Sequence, residues 1–109
     1  MGIATSAINA GNGVINRTIE AFTTDAVAAV DTTFNFGFKP RYVQFVNLTD
    51  RITEEWFEGI AATNVLHTVA AGTRTIDTNS LIVVNADNTV TVKAAAMVAS
   101  KSFVMVVEG

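Results

Sequence analysis

The chain has 109 residues, half of them hydrophobic and only 16% charged, with a net charge of −3 and no cysteine. That length reads as one domain, and the acidic balance lacks the basic footprint of a nucleic-acid binder. Disulfides and thiolate metal centres are excluded, and no run approaches the ~18 apolar residues that span a membrane. The charged share lies well below the usual roughly 25%. A small domain this poor in charge is expected to have part of its surface covered by another copy or a partner.

The first thirteen residues, MGIATSAINAGNG, are small and polar apart from Ile3 and Ile8. Gly11, Asn12 and Gly13 are a hinge or turn signal. Residues 1–13 read as an extended N-terminal arm, and 14–109 as a β domain. MGIATS matches the loose myristoylation pattern, but no polybasic patch follows to support a single acyl chain. Sequons at Asn16 and Asn47 carry little weight, since the first residues lack the basic start and apolar run of a secretory signal.

From residue 14 the apolar period is mostly two. VINRTIEAF reads as a weak, edge-type strand with mixed faces. DAVAAV at 25–30 is ambiguous, alanine favouring helix and valine favouring strand. TTFNFGF places Phe34, Phe36 and Phe38 on one face of a half-buried strand. Pro40 marks a bend or a strand start, because it has no N–H for a ladder. RYVQFVNL is apolar on both faces and reads as a central strand; Thr49, Asp50 and Arg51 make a turn, and ITEEWFEG reads as the next strand.

NVLHTVAAG and TRTIDT read as two further strands, and SLIVVNADNTVTVKA as a hairpin around an Ala-Asp-Asn turn. SFVMVVEG is a terminal strand, apolar on both faces. Short strands, close turn signals and no convincing amphipathic helix predict an all-β, single-domain antiparallel sandwich or barrel.

Residues 36–59 concentrate six of the nine aromatic residues, the sole proline and seven of the seventeen formal charges. Catalysis is a weak explanation for them. His67, the single histidine, would need a nucleophile and an orienting partner, and its candidates Ser80 and Asp77 are ordinary turn residues. Asp50, Glu54, Glu55 and Glu58 could serve glycosidase chemistry only as a pair flanking a sugar. The alternative is a solvated strand face whose glutamates pair with Arg41, Arg51 or Arg74. Calcium-loop spacing is absent, so neither catalytic nor metal-binding nor cofactor-binding residues are assigned. Aromatics and arginines at strand spacing suit packing and subunit contacts instead. The interface candidates are Ile3, Ile8, Arg41, Tyr42, Arg51, Trp56, Glu58 and Arg74.

In this same segment Gly37-Phe38-Lys39-Pro40-Arg41-Tyr42-Val43, Asn47-Leu48-Thr49-Asp50-Arg51 and Glu55-Trp56-Phe57-Glu58-Gly59, with Ala71-Gly72-Thr73-Arg74-Thr75 further on, resemble a family of small tailed-bacteriophage virion proteins of the head decoration, or cement, type. The resemblance implies a non-enzymatic, β-rich subunit that clamps the major capsid protein on the outside of the virion after assembly in the bacterial cytoplasm. It implies a homo-oligomer, a trimer ahead of a dimer, with no cofactor, nucleic acid or membrane as partner. Two other readings stand beside it. One is a tail- or fibre-associated β domain binding host-surface carbohydrate, with Trp56 as platform and Asp50, Glu54 and Glu58 as hydroxyl acceptors. The other is a small glycosidase using the same carboxylates.

Overall fold

Alternating apolar residues give this chain strands, and pairing sorts the strands into two layers. The computed structural model describes residues 16–109; the expected arm at 1–13, with Ile3 and Ile8, lies outside them. The described residues form nine strands and no helix. In chain order they are β1 (Arg17–Thr23), β2 (Thr32–Asn35), β3 (Tyr42–Asn47), β4 (Ile52–Phe57), β5 (Val65–Thr68), β6 (Arg74–Asp77), β7 (Ile82–Val84), β8 (Thr89–Val92) and β9 (Ser102–Glu108). One antiparallel sheet has six strands in the order β1-β9-β3-β4-β5-β6, and a second has three in the order β2-β8-β7. The expected all-β sandwich is the observed architecture.

β3 and β9 are the strands with apolar residues on both faces, and they lie side by side in the middle of the large sheet, as that pattern requires. Their inward residues Val43, Phe45, Phe103, Met105 and Val107 are buried to within 1% exposure. From the small sheet, Ile82, Val90 and Val92 meet them. Phe45 and Phe103 stack with centroids 4.9 Å apart, and Phe22 of β1 lies 5.5 Å from Phe103. β1 is an edge strand, as its mixed faces suggested.

The phenylalanine run departs from expectation. β2 stops at Asn35, so only Phe34 sits in a strand. Asn35 Oδ1 accepts the Gly37 N–H at 3.0 Å, and Gly37 takes φ 80°, a conformation that turns the chain and suits glycine. Phe36 and Phe38 nonetheless remain packed against the core, with ring centroids 6.0 Å apart for Phe34 and Phe36 and 6.4 Å for Phe36 and Phe38. The ambiguous DAVAAV is neither helix nor strand. Asp25 Oδ1 accepts the Val27 N–H, and a short side-chain acceptor of this kind competes with regular backbone pairing.

Two turns set the register of the strands that matter for the sites below. At the β3–β4 turn, buried Asn47 accepts the Asp50 N–H and donates to Asp50 Oδ2, both at 2.9 Å, and Lys101 reaches Asp50 at 3.2 Å. This pins Tyr42 opposite Phe57 and Phe45 opposite Glu54. The expected β7–β8 hairpin forms, with Asn88 at φ 67°, a left-handed position that asparagine tolerates.

Candidate functional site

Two regions stand out from a satisfied core: the outer face of the six-stranded sheet, and a cavity beside Glu54 between that sheet and the segments around residues 79–81 and 95–98.

Successive residues of a strand point to opposite faces, so the antiparallel register fixes what the outer face carries. One row crosses the whole sheet: Ile19, Val106, Gln44, Glu55, Leu66 and Ile76. At about 4.8 Å per strand this row spans roughly 24 Å. A second runs through Ala21, Val104, Val46, Thr53, Thr68 and Arg74. Ile19 is 59% exposed, Ile76 53% and Phe57 41%. The Tyr42 ring packs on Phe57 with centroids 5.2 Å apart, and its hydroxyl donates to Glu55 Oε2 at 2.6 Å. Burial, and then the neighbouring Glu55 carboxylate, push the Tyr42 hydroxyl well above the usual phenol range, so it stays a donor. Ion pairs Arg17–Glu108 at 3.4 Å and Arg41–Glu58 at 3.3 Å border one end of this face.

The expected interface residues therefore separate. Arg41, Tyr42 and Glu58 come together at that end. Arg51 lies at the opposite end of the β3–β4 hairpin, exposed at φ 56°, and Arg74 opens the far edge strand β6. Trp56 points inward, half-buried against the core, and lines an open groove with Pro40, Glu58, Asn85 and Asn88.

The acidic group also divides. Glu58 pairs with Arg41 as one of the anticipated salt bridges, but Glu54 and Glu55 find no arginine; Glu55 takes Tyr42 and Glu54 takes His67. Glu54 is not on a solvated face: it is only 4% exposed. Its Oε1 meets His67 Nδ1 across the β4–β5 pairing, where the two residues are register partners. Its Oε2 is buried and has no hydrogen-bond partner among the described residues. Burial holds the Glu54 carboxyl above its usual range against the opposing pull of His67, and the Asp77 charge adds to the rise.

These groups line a cavity of about 290 Å³ whose other walls include Phe45, Ile52, Leu81, Ala96 and Val98. Of the two candidate partners of His67 set aside in the sequence as turn residues, Asp77 lies in it and Ser80 does not. No hydroxyl nucleophile lines the cavity, and no cluster of three or more metal-ligating side chains occurs among the described residues. The Glu54–His67 pair escaped sequence reasoning. Its one signal was that both residues occupy inward positions of adjacent strands, Glu54 between Ile52 and Trp56 and His67 two residues after Val65.

Comparison with known protein families, with curated proteins and with solved structures finds no match for this chain.

Proposed function

We propose that this chain is a non-enzymatic bacteriophage capsid decoration (cement) protein that binds the assembled head as a homo-oligomer. The observation that carries the interface part is the outer face of the six-stranded sheet. It has exposed Ile19, Phe57 and Ile76, the half-buried Tyr42, Val46 and Leu66, and ion pairs along one border. Its exposed isoleucines flank a polar middle, Gln44 and Glu55, a mixed surface of the kind non-obligate subunit contacts use. The capsid part rests on the resemblance between residues 37 and 75. A cement subunit needs no reaction chemistry. It binds the assembled shell and not its separated subunits, so by linkage it stabilises the shell, and contacts repeated over the shell add by avidity.

Two measurements test this. Light scattering on the purified chain is expected to give a trimer, and Ile19→Asp with Phe57→Asp to give a monomer. Both positions are already exposed, so the thermal midpoint should fall by no more than a few degrees. Co-sedimentation with shells of the same phage's major capsid protein should be saturable and raise the shells' disruption temperature. Wild-type chain that stays monomeric and leaves the shells unoccupied sinks the proposal.

The groove beside Trp56 favours a second reading, a tail- or fibre-associated domain that binds host-surface carbohydrate. A part-exposed indole beside Glu58, Asn85 and Asn88 offers a sugar apolar contact and hydrogen-bond partners. Glu54 and Asp50 take no part in it, being committed to His67 and to Asn47 with Lys101. Under this reading, tryptophan fluorescence changes saturably when host glycans are added and Glu58→Ala, at an exposed position of the groove, abolishes the change. The decoration reading expects a flat titration.

A further inference from the structure

We propose that the cavity beside Glu54 is a binding site for a small protonated amine with an apolar body. The inference is independent of the capsid reading and uses a different part of the molecule.

The cavity has polar and apolar walls. Glu54, His67 and Asp77, with Asn47 and Asn79, supply the polar groups; Phe45, Ile52, Leu81 and Val98 supply apolar surface. That is how small-molecule pockets are built: mostly apolar walls with a few convergent polar groups that fix orientation. The volume, about 290 Å³, lies at the small end of ligand pockets. At ~30 Å³ for each water-sized unit it holds about ten non-hydrogen atoms.

Glu54 identifies the chemistry. A carboxylate accepts hydrogen bonds at both oxygens. Here Oε1 has His67, while Oε2 is buried without a donor among the described residues. A buried, half-satisfied carboxylate is costly, and native proteins rarely leave one without a partner. The missing partner must be a donor. Two carboxylates, Glu54 and Asp77, line the cavity with a single imidazole, and neither lysine nor arginine lines it. A cationic donor therefore complements the site in charge as well as in hydrogen bonding. An alcohol of the same shape supplies the bond without the charge, and a carboxylic acid at neutral pH meets like charge.

The test uses the full-length ¹⁵N-labelled chain at pH 7.5 and three probes of nearly equal size: 2-phenylethylamine, 2-phenylethanol and phenylacetate. The amine is expected to give saturable amide shifts centred on Glu54, His67, Asp77 and Leu81. The alcohol should bind at least about tenfold more weakly, and phenylacetate should give no such shifts. Glu54→Gln, which keeps the shape and removes the charge, should weaken the amine at least about tenfold. Ala96→Leu, which fills the cavity and leaves Glu54 and His67 in place, should abolish binding. Unchanged dispersion of amides remote from the cavity in each variant shows that it is folded. Equal binding of amine and alcohol, undiminished binding by folded Glu54→Gln, or no shifts at millimolar amine overturns the proposal.

Discussion

Replacing Phe103 with alanine is expected to cost about 3–5 kcal/mol of folding stability and to lower the thermal midpoint by more than about 10 °C. Phe103 is 1% exposed and lies between Phe22 at 5.5 Å and Phe45 at 4.9 Å, so truncation opens a hole that neither neighbour can fill without leaving its own contacts. The loss is a large fraction of the ~5–15 kcal/mol that holds a domain of this size together. Phe22→Ala should cost less, because Phe22 sits on an edge strand and is only partly buried. Chemical denaturation of the two variants checks the order. A Phe103→Ala cost below about 1 kcal/mol would mean that the two sheets do not share the packed core described above.

The second large effect lies at Glu54. His67→Ala should destabilise the chain by about 2–3 kcal/mol at neutral pH, the cost of leaving a buried carboxyl without its hydrogen-bond partner, kept within that range because the His67 side chain is 24% exposed and water can partly replace it. Glu54→Gln should do the opposite. Burial raises the Glu54 carboxyl above its ordinary value, so the folded chain holds that proton to higher pH than the unfolded chain does. The stability attached to that preference is present below the ordinary carboxylate range. It is lost as pH climbs through the raised value, where the buried group must ionise. Glutamine imitates the protonated acid at every pH. Glu54→Gln should therefore match the wild type near pH 4 and exceed it near pH 7. Exposed Asp31 and Asp87 shift the other way, Asp31 through the Ala94 N–H and Asp87 through Thr89, but they are common to both chains and cancel in the difference. A gap that narrows with rising pH would refute this account.

Much of the fold could be read in the sequence because alternation and burial agree there. Val43 and Phe45, buried opposite half-buried Gln44 and Val46, made β3 legible as a central strand, and the apolar faces of SFVMVVEG marked β9 as its equal. Phe36 and Phe38 misled because period-two spacing does not require pairing: Gly37 turns the backbone, yet the rings still reach the core. The candidate sites were less legible, since they depend on register. Glu54 and Glu55 look alike in sequence, but one is buried with His67 and the other bonds Tyr42 on the opposite face. The residue count between β4 and β5 does not say which residues will pair, so the acidic group looked like a solvated face. Trp56 belonged to the expected interface by composition alone; its strand parity turns it inward.

The position of β9 has a kinetic consequence. β1 and β3 do not touch as strands; each pairs with β9, which stands between them. Phe22 meets Phe103 and Arg17 meets Glu108, closures across most of the described chain. A chain stopped before residue 102 has two separated edges, with exposed backbone donors and acceptors and no route to join them. Such closures pay their loop entropy before they gain contacts, so refolding should be slow for a domain of this size. Until β9 docks, the open edges of β1 and β3 are templates for strands of other chains. Aggregation during refolding should therefore depend on concentration and on how fast the last strand is captured, even though among the described residues the finished sheet leaves only β1 and β6 at its margins.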